Sequence, residues 1–215
     1  QAPWLLKSLY GGTRASKAAL LARLDLPGDA LPHLGSWKAD TGLLHHLVDR
    51  IERDRPAQVA EFGCGASSLI IGRALERNGG GRLTSYENDA GFAAATRGWL
   101  DEHRVAHDIR IAPLRRSDAD DWPGPFYATG DVPERIDLML IDGPVWTLHP
   151  LVRGAAERYF ERIAPGGTIL LDDAARPGER VIARRWRRRW PDIDFQLEHF
   201  GSKGTLVATR TASRS

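Results

Sequence analysis

The spacing of hydrophobic positions changes near residue 57. Before it, apolar residues recur every three or four positions, as on one face of an amphipathic helix. The clearest series is Leu43, Leu44, Leu47, Val48 and Ile51. After it, short apolar runs of β type alternate with helical stretches. The pattern predicts an N-terminal helical cap over residues 1–56 and a second domain over residues 57–215.

The second domain has the pattern of an α/β fold. Its predicted strands are Gln58–Phe62, Arg82–Tyr86, Asp108–Ala112, Ile136–Ile141, Thr168–Leu171, Asp194–Phe200 and Thr205–Thr209. The predicted helices between them are Ser67–Asn78, Asp89–His103, Leu148–Ile163 and Glu179–Trp190. Strand–helix alternation with this spacing is typical of parallel βαβ units.

The end of the chain predicts a change of strand direction. Only Gly201–Gly204 separates the last two strands, and so short a connection permits a hairpin but no parallel crossover. We therefore expect a Rossmann-like, doubly wound, seven-stranded sheet, mostly parallel with an antiparallel final strand, plus the N-terminal helices. Residues Ser117–Glu134, rich in Asp, Pro and Gly, predict a long loop that is a candidate active-site lid.

Composition adds only broad constraints. The 215 residues are 42% hydrophobic and 27% charged, with 30 basic and 28 acidic side chains, so no bulk charge favours nucleic acid or a membrane surface. One cysteine excludes an intramolecular disulfide framework. No apolar run approaches the roughly 18 residues of a membrane span, and no secretory pattern opens the chain. We expect a cytoplasmic protein, and the sequence leaves a homo-oligomer open.

The turn after the first predicted strand carries the most information. It reads Glu61, Phe62, Gly63, Cys64, Gly65, Ala66, Ser67 and Ser68. Glycines are needed where backbone passes close to a ligand, and the N-terminus of a helix offers unpaired N–H groups. Ser67 and Ser68 open the predicted helix, where they can cap it and bind a ligand carboxylate. Cys64 is expected to be a small buried filler. The turn predicts a small-molecule site.

Further candidate residues follow the neighbouring predicted strands. Glu87 ends the second strand, where an acid can accept hydrogen bonds from ribose hydroxyls. Asp142 follows the fourth strand, and Asp172 and Asp173 follow the fifth. The third strand runs into an apolar ledge suited to a flat base, formed by Ala112, Pro113 and Leu114. These residues should converge on one crevice, because parallel strands end at one edge of the sheet.

Two nucleotide-like cofactors compete for this crevice. NAD also needs a glycine turn and an acid after the second strand, but Ser68 stands where the dinucleotide fingerprint has its third glycine. Glu61 would repel a pyrophosphate and suits a ligand with a cationic amine. The residues instead resemble the class I S-adenosylmethionine (SAM)-dependent methyltransferases over roughly residues 57–210. The resemblance rests on the acid-x-Gly-x-Gly turn, on Glu87 and on Pro165–Gly167 before the fifth strand.

The resemblance implies SAM as cofactor. By the family's pattern, Glu61, Gly63 and Gly65 approach the amino-acid part of SAM, with Ser67 and Ser68 beside them. Glu87 is implied to hold the ribose, and the ledge and Asp142 complete the cofactor site. The deprotonation of an acceptor needs a base, and the candidates for catalysis are Asp142, Asp173 and His149.

A divalent cation such as Mg²⁺ is one alternative for activating the acceptor. Asp142, Asp172 and Asp173 are hard oxygen ligands, and their arrangement resembles that of the catechol-type, metal-dependent O-methyltransferases. Two residues depart from that pattern. Ala174 stands in place of a metal-binding Asn, and Val145 in place of the catalytic lysine. The other alternative is that Asp172 and Asp173 cap the segment that follows.

The candidates for acceptor binding are Trp37, Arg176 and Glu179. Asp173, Arg176 and Glu179 have the acid-x-x-Arg-x-x-Glu spacing of some glycan-directed O-methyltransferases. By that resemblance, Arg176 and Glu179 orient sugar hydroxyls, and an internal salt bridge is the alternative. Trp37 precedes a helix that leads into the core, and it either stacks in the active site or packs on the N-terminal helices.

The sequence supports one main function and two rivals. The main hypothesis is SAM-dependent O-methylation of a small hydroxylated or sugar-like acceptor. The first rival is a nicotinamide-dependent oxidoreductase. The second is a non-catalytic cofactor-binding or RNA-binding module that uses the arginine-rich helix Arg184–Arg189. We favour a solvated face for that helix, because Ile182, Trp186 and Trp190 share its other face.

Overall fold

The helices and strands follow the predicted alternation. The computed structural model describes residues 11–31, 34, 39–116, 121–201 and 203–211. Two helices come first, α1 (Arg14–Arg23) and α2 (Thr41–Asp54). The next elements are β1 (Gln58–Phe62), α3 (Ala66–Arg77), β2 (Arg82–Glu87), α4 (Ala90–Glu102), β3 (Ile109–Ile111), β4 (Leu114–Arg115) and β5 (Phe126–Tyr127). The last are β6 (Ile136–Ile141), a 3₁₀ helix (Val152–Arg162), β7 (Ile163–Leu171), α5 (Pro177–Arg189), β8 (Ile193–Glu198) and β9 (Thr205–Arg210).

Seven strands form one sheet in the order β3-β2-β1-β6-β7-β9-β8. The pairs β3–β2, β2–β1, β1–β6 and β6–β7 are parallel, whereas β9 is antiparallel to both of its neighbours. This confirms the predicted mostly parallel sheet with an antiparallel final strand. The strand order reverses between β1 and β6, so the carboxyl ends of these two strands flank the crevice where ligands bind in such sheets.

Each face of the sheet is covered by a hydrophobic cluster. On one face, Leu44 and Leu47 of α2 belong to the same cluster as Leu69 and Ile70 of α3. The carboxylate of Asp40 caps α2 by accepting a hydrogen bond of 3.0 Å from the backbone N–H of Leu43. The N-terminal helices therefore share a core with the sheet.

The arginine-rich helix α5 covers the other face. Ile182 and Trp186 are fully buried in the second cluster, and the indole N–H of Trp186 donates to the backbone oxygen of Gly154 at 3.1 Å. Trp190 packs against the same cluster. This confirms the prediction that the apolar face of this helix lies on the sheet.

Two predicted elements differ in the structure. The predicted helix over Leu148–Ile163 is a 3₁₀ helix that begins only at Val152. Pro150 lacks an N–H and Gly154 is a weak helix former, so this segment does not favour an α-helix. The predicted loop over Ser117–Glu134 contains β5, which pairs with β4. The two aromatic residues of β5 are buried, and their burial outweighs the loop-like composition around them. No described helix is long and apolar enough to cross a membrane.

Candidate active site

A cavity of about 500 Å³ opens at the carboxyl ends of β1, β2 and β6. Backbone of the glycine turn forms one wall, and residues that follow β2 and β6 form others. The structure brings together six of the residues selected from the sequence, namely Gly63, Glu87, Leu114, Asp142, Asp173 and Arg176. The crevice predicted from the strand ends is therefore present.

The turn after β1 needs its glycines. Gly63 has φ = +92° and Gly65 has φ = +149°, a region that side chains rarely adopt. A Cβ on Gly63 would lie 3.0 Å from the backbone nitrogen of Gly143, so the turns after β1 and β6 touch. Gly65 is the N-cap of α3, and its N–H donates to the hydroxyl of Ser68 at 3.0 Å. The backbone is thereby held at the edge of the cavity.

The structure corrects the expectation for Glu61 and the two serines. Glu61 is fully buried, and its carboxylate accepts hydrogen bonds from Ser67 at 2.5 Å, Ser68 at 2.6 Å and Ser85 at 2.6 Å. None of these four residues lines the cavity. Ser68 therefore contributes to the cap of α3 through the N–H of Gly65, whereas the Glu61 carboxylate is directed at the serine hydroxyls and not into the cavity. Burial raises the pKa of Glu61 to about 7, against the lowering effect of its hydrogen bonds to Ser67, Ser68 and Ser85.

Glu87 lies in the cavity wall at the end of β2. One oxygen of its carboxylate accepts hydrogen bonds from the backbone N–H groups of Asn88 at 2.8 Å and Asp89 at 2.9 Å. The other oxygen accepts a longer bond of 3.4 Å from the backbone N–H of Cys64. This carboxylate is oriented by the backbone and faces the cavity, as binding of ribose hydroxyls requires.

Cys64 is a neutral thiol in this wall. Burial raises its pKa to about 12, and the charges of Glu61 and Glu87 act in the same direction. The thiol therefore stays protonated at neutral pH, but Cys64 is only half-buried and lines the cavity, whereas the sequence predicted a buried side chain.

Other selected residues lie outside the cavity wall. Ala112 is buried, and its N–H donates to the backbone oxygen of Glu87 at 2.8 Å, while the backbone oxygen of Pro113 accepts from Ala128 at 2.9 Å. Of the described ledge, only Leu114 lines the cavity. His149 accepts a hydrogen bond of 3.0 Å from the backbone N–H of Leu151 through Nδ1. His149 is not part of the cavity wall, and Trp37 lies outside the described residues.

Four carboxylates and three cations form an ion-pair cluster at the ends of β6 and β7. Its members are Asp142, Asp172, Asp173, Glu179, Arg153, Arg176 and Lys203. Asp172 and Glu179 are buried behind the cavity wall, whereas Asp142, Asp173, Arg153 and Arg176 line it. The carboxylate of Glu179 lies 4.0 Å from the guanidinium of Arg176, which favours the internal salt bridge over sugar binding for this glutamate.

Asp142 and Asp172 of this cluster hold protons more tightly than free carboxyl groups do. Burial raises the pKa of Asp142, and the guanidinium of Arg153 opposes this rise. Burial and the charge of Asp173 raise the pKa of Asp172 well above its ordinary value. The side chain of Asp142 is 23% exposed, so a molecule in the cavity can reach it. Asp142 can therefore be reached by a molecule in the cavity, and its carboxylate binds a proton more tightly than a free aspartate does.

Arg153 and Tyr127 are among the wall residues that sequence reasoning missed. Arg153 is 4% exposed, and it is an arginine within a run of small and apolar residues, a signal that could have revealed it. Tyr127 belongs to β5, and its hydroxyl lies close to Gly143. A Cβ built on Gly143 would be 2.0 Å from the hydroxyl oxygen of Tyr127. No local pattern pointed to Tyr127, because its strand lies in a segment with loop-like composition.

Solved structures with this fold include methyltransferases. The O-methyltransferase from Bacillus cereus, solved in complex with S-adenosylhomocysteine (SAH), is 14% identical to this chain. The two structures align with a TM-score of 0.64, over 93% of this chain and 92% of the Bacillus cereus chain. The O-methyltransferase TomG from Streptomyces achromogenes, solved with SAM, is 17% identical, with a TM-score of 0.59 over 96% and 94%. The SAH-bound methyltransferase PaMTH1 from Podospora anserina is 13% identical, with a TM-score of 0.60 over 97% and 92%. At these identities the likeness establishes a shared fold.

Sequence comparison assigns the family. Among curated proteins, none matches this chain. A family model for the methyltransferase domain matches residues 60–174, which is more than half of the chain. That stretch runs from β1, through the glycine turn and Glu87, to the acids after β7. The chain therefore belongs to the methyltransferase domain family.

Proposed function

We propose that this protein transfers the methyl group of SAM to a hydroxyl oxygen of a small hydroxylated or sugar-like acceptor. The observation that carries the proposal is the composition of one cavity wall. It contains an oriented carboxylate, Glu87, next to the glycine turn, and a reachable acid of raised proton affinity, Asp142, after β6. These are the groups that a ribose-bearing cofactor and a hydroxyl acceptor need.

The cofactor end of the cavity is formed by β1 and β2. Glu87 accepts hydrogen bonds from ribose hydroxyls, and the glycine turn lets the amino-acid part of SAM approach the backbone at Gly63. Leu114 and Phe92 provide apolar surface for the adenine, since both line the cavity and Phe92 is 51% exposed. SAM, once bound, supplies a methyl group on a positively charged sulfur.

Methyl transfer is an in-line displacement. The acceptor oxygen forms a bond to the methyl carbon while the sulfur–carbon bond breaks, and the electron pair of that bond stays on sulfur to give SAH. The acceptor proton passes to a carboxylate of the wall. Asp142 is the better candidate, because Asp173 is only 4% exposed and already pairs with Arg153 and Arg176.

The acceptor end of the cavity is lined by both apolar and charged side chains. Val145 and Leu148 expose apolar surface at the rim, and Arg176 lies below them in the wall. The guanidinium of Arg176 also lies 5.7 Å from the ring centre of Trp146. Tyr127 provides an aromatic ring in the cavity wall itself, and an aromatic surface beside fixed polar groups suits a ring that bears hydroxyls, such as a phenol or a sugar.

RNA binding by the arginine-rich helix receives less support. Arg185 stacks on Trp122 at 3.9 Å from the ring centre, and Arg189 pairs with Asp121 and Glu157. Arg187 donates hydrogen bonds to the backbone oxygen of Phe195. Three of the helix arginines are thus engaged within the protein.

Calorimetry with SAH and with NAD tests the proposal. We expect SAH to bind and NAD not to bind. Glu87→Ala should weaken SAH binding by about 10- to 100-fold, since hydrogen bonds to charged groups contribute about 1.5–3 kcal/mol. Glu102→Ala, an exposed acid at the end of α4, serves as the matched control and should bind SAH like the wild type. Binding of NAD in place of SAH would overturn the proposal.

A second experiment tests the acceptor class. Incubation with SAM and a panel of phenols and sugars, with SAH release as the readout, should identify hydroxyl acceptors. Asp142→Asn should abolish turnover while it leaves SAH binding measurable. Turnover only with amine or thiol acceptors would overturn the assignment of oxygen.

A further inference from the structure

The cluster of charges at the ends of β6 and β7 is organised around Arg153. One guanidinium nitrogen of Arg153, Nη1, lies 3.1 Å from a carboxylate oxygen of Asp173 and 3.8 Å from one of Glu179. The other, Nη2, lies 3.7 Å from Asp142. The same side chain donates hydrogen bonds to the backbone oxygens of Pro144 at 3.1 Å and Asp172 at 3.2 Å. Arg153 is thus tied to both strand ends that border the cavity.

The resemblance to catechol-type O-methyltransferases implies a divalent cation at this place. Carboxylate oxygens of Asp142, Asp172 and Asp173 do lie within 4.8 Å of one another. Buried oxygens of Asp172 and Asp173 also have no hydrogen-bond partner among the described residues. Considered alone, these acids resemble a set of ligands for a hard cation.

The cations around these acids make the fit poor. Arg153 contacts both Asp142 and Asp173, so an ion bound between these carboxylates would lie directly against the guanidinium. Arg176 contacts the same oxygen of Asp173 at 2.9 Å, and Lys203 lies 3.8 Å from its other oxygen. Three buried positive charges already face four carboxylates. These cations already compensate all but one of the four negative charges, so a divalent ion would gain little attraction and would be repelled by the guanidinium beside it.

We infer that Arg153 takes the place of a divalent cation in this protein and is the positioning residue for Asp142. The inference rests on the proposed methyl transfer. Arg153, which is 4% exposed, fixes the carboxylate of Asp142 from behind, and Asp142 keeps its access to the cavity. The guanidinium also links the turn after β6 to the turn after β7, so both walls of the acceptor end keep one arrangement. Proton transfer to Asp142 then needs no metal.

Binding of Mn²⁺, followed by electron paramagnetic resonance, tests this inference without an acceptor. Wild-type protein should leave Mn²⁺ free. Arg153→Met removes the charge at similar length, and it should create a site that binds Mn²⁺ at least about tenfold more tightly, since a like charge beside the ion is gone. Adding Asp173→Asn to this variant should abolish the new site. Arg185→Met, which removes a guanidinium that stacks on Trp122, should leave Mn²⁺ free like the wild type.

The outcomes are separable from those for the proposed function. Arg153→Lys keeps a cation and should leave Mn²⁺ free like the wild type, and Arg153→Gln, which also removes the charge, replaces Arg153→Met if the latter does not fold. One Mn²⁺ bound per wild-type molecule and lost with Asp173→Asn would overturn the inference, and so would turnover that EDTA abolishes and Mn²⁺ restores. Failure of SAH binding would overturn the proposed function and leave the exclusion of a divalent ion by Arg153 standing, because the Mn²⁺ measurement does not depend on SAH.

Discussion

Two glutamates at the ends of neighbouring strands, Glu61 and Glu87, have different surroundings. Glu61 and Glu87 both lie at carboxyl ends of strands, yet only Glu87 faces the cavity. Three serine hydroxyls surround Glu61, and two of them come from the first turn of α3. Glu61 thereby fixes the glycine turn against α3 and β2. Its contribution to the cofactor site is structural.

The raised pKa of Glu61 predicts a pH-dependent stability. Between its ordinary value of 4.5 and its folded value of about 7, the unfolded chain releases the proton that the folded protein retains. The unfolded state therefore binds fewer protons in this window. The contribution of Glu61 to the free energy of unfolding should fall by up to about 3 kcal/mol as pH rises through it, and stay constant above it.

Glu61→Gln isolates this effect. Chemical denaturation of both proteins from pH 4.5 to 8 should show the wild type losing stability relative to the variant as pH rises. Subtracting the two curves removes the contributions of other titrating groups. A difference between the two proteins that stays flat over this range would contradict the assignment.

At the scale of elements, the turn between β1 and α3 determines where the cavity lies. Gly63 combines a positive φ with close contact to the turn after β6, so neither a side chain nor a different backbone conformation fits there. The sequence identified this turn from its spacing of glycines. It did not reveal that the turn packs against Gly143, because that contact joins residues that are 80 positions apart.

Substitution of this glycine should cost both stability and binding. Gly63→Ala should lower the free energy of unfolding by about 1–3 kcal/mol and weaken SAH binding, because the turn must shift. Gly98→Ala is the matched control, since Gly98 lies in α4, is exposed and has no atom within 4 Å of an added Cβ. It should stabilise the protein by about 0.5–1 kcal/mol. Denaturant titration and calorimetry measure both effects, and equal stability of the two variants would argue against the close packing at Gly63.

At the scale of the whole molecule, the candidate cofactor site lies at the ends of strands that belong to one sheet. The cavity touches β1, β2 and β6, and these strands are neighbours in the sheet. A ligand that binds only the folded state stabilises it by mass action. At SAH concentrations about 100 times its dissociation constant, the gain is about 2.7 kcal/mol, or about 5–10 °C in Tm for a chain of this size.

Thermal unfolding by calorimetry tests this expectation. Glu87→Ala should show a smaller shift than the wild type at the same SAH concentration, because its affinity is lower. NAD should leave Tm unchanged. A rise in Tm with NAD and none with SAH would favour the oxidoreductase interpretation of the glycine turn.

Local sequence features were sufficient to predict the fold class and the position of the site. Periodic apolar positions predicted the strands and helices, and the short connection at Gly201–Gly204 predicted the antiparallel final strand. Glycine spacing marked the turn, because only glycine adopts positive φ readily. Each of these signals depends on residues that are close together in sequence.

The tertiary structure decided which acids face the cavity and which cations pair with them. Strand ends alone do not show where a side chain points, so Glu61 and its serines were assigned to the cofactor site alongside Glu87 until their partners were known. Arg153 lies 20 positions before Asp173 and follows a different strand, and only the packing of the 3₁₀ helix brings the two together. Burial then makes this pairing strong, because charges removed from water must be compensated by other charges nearby.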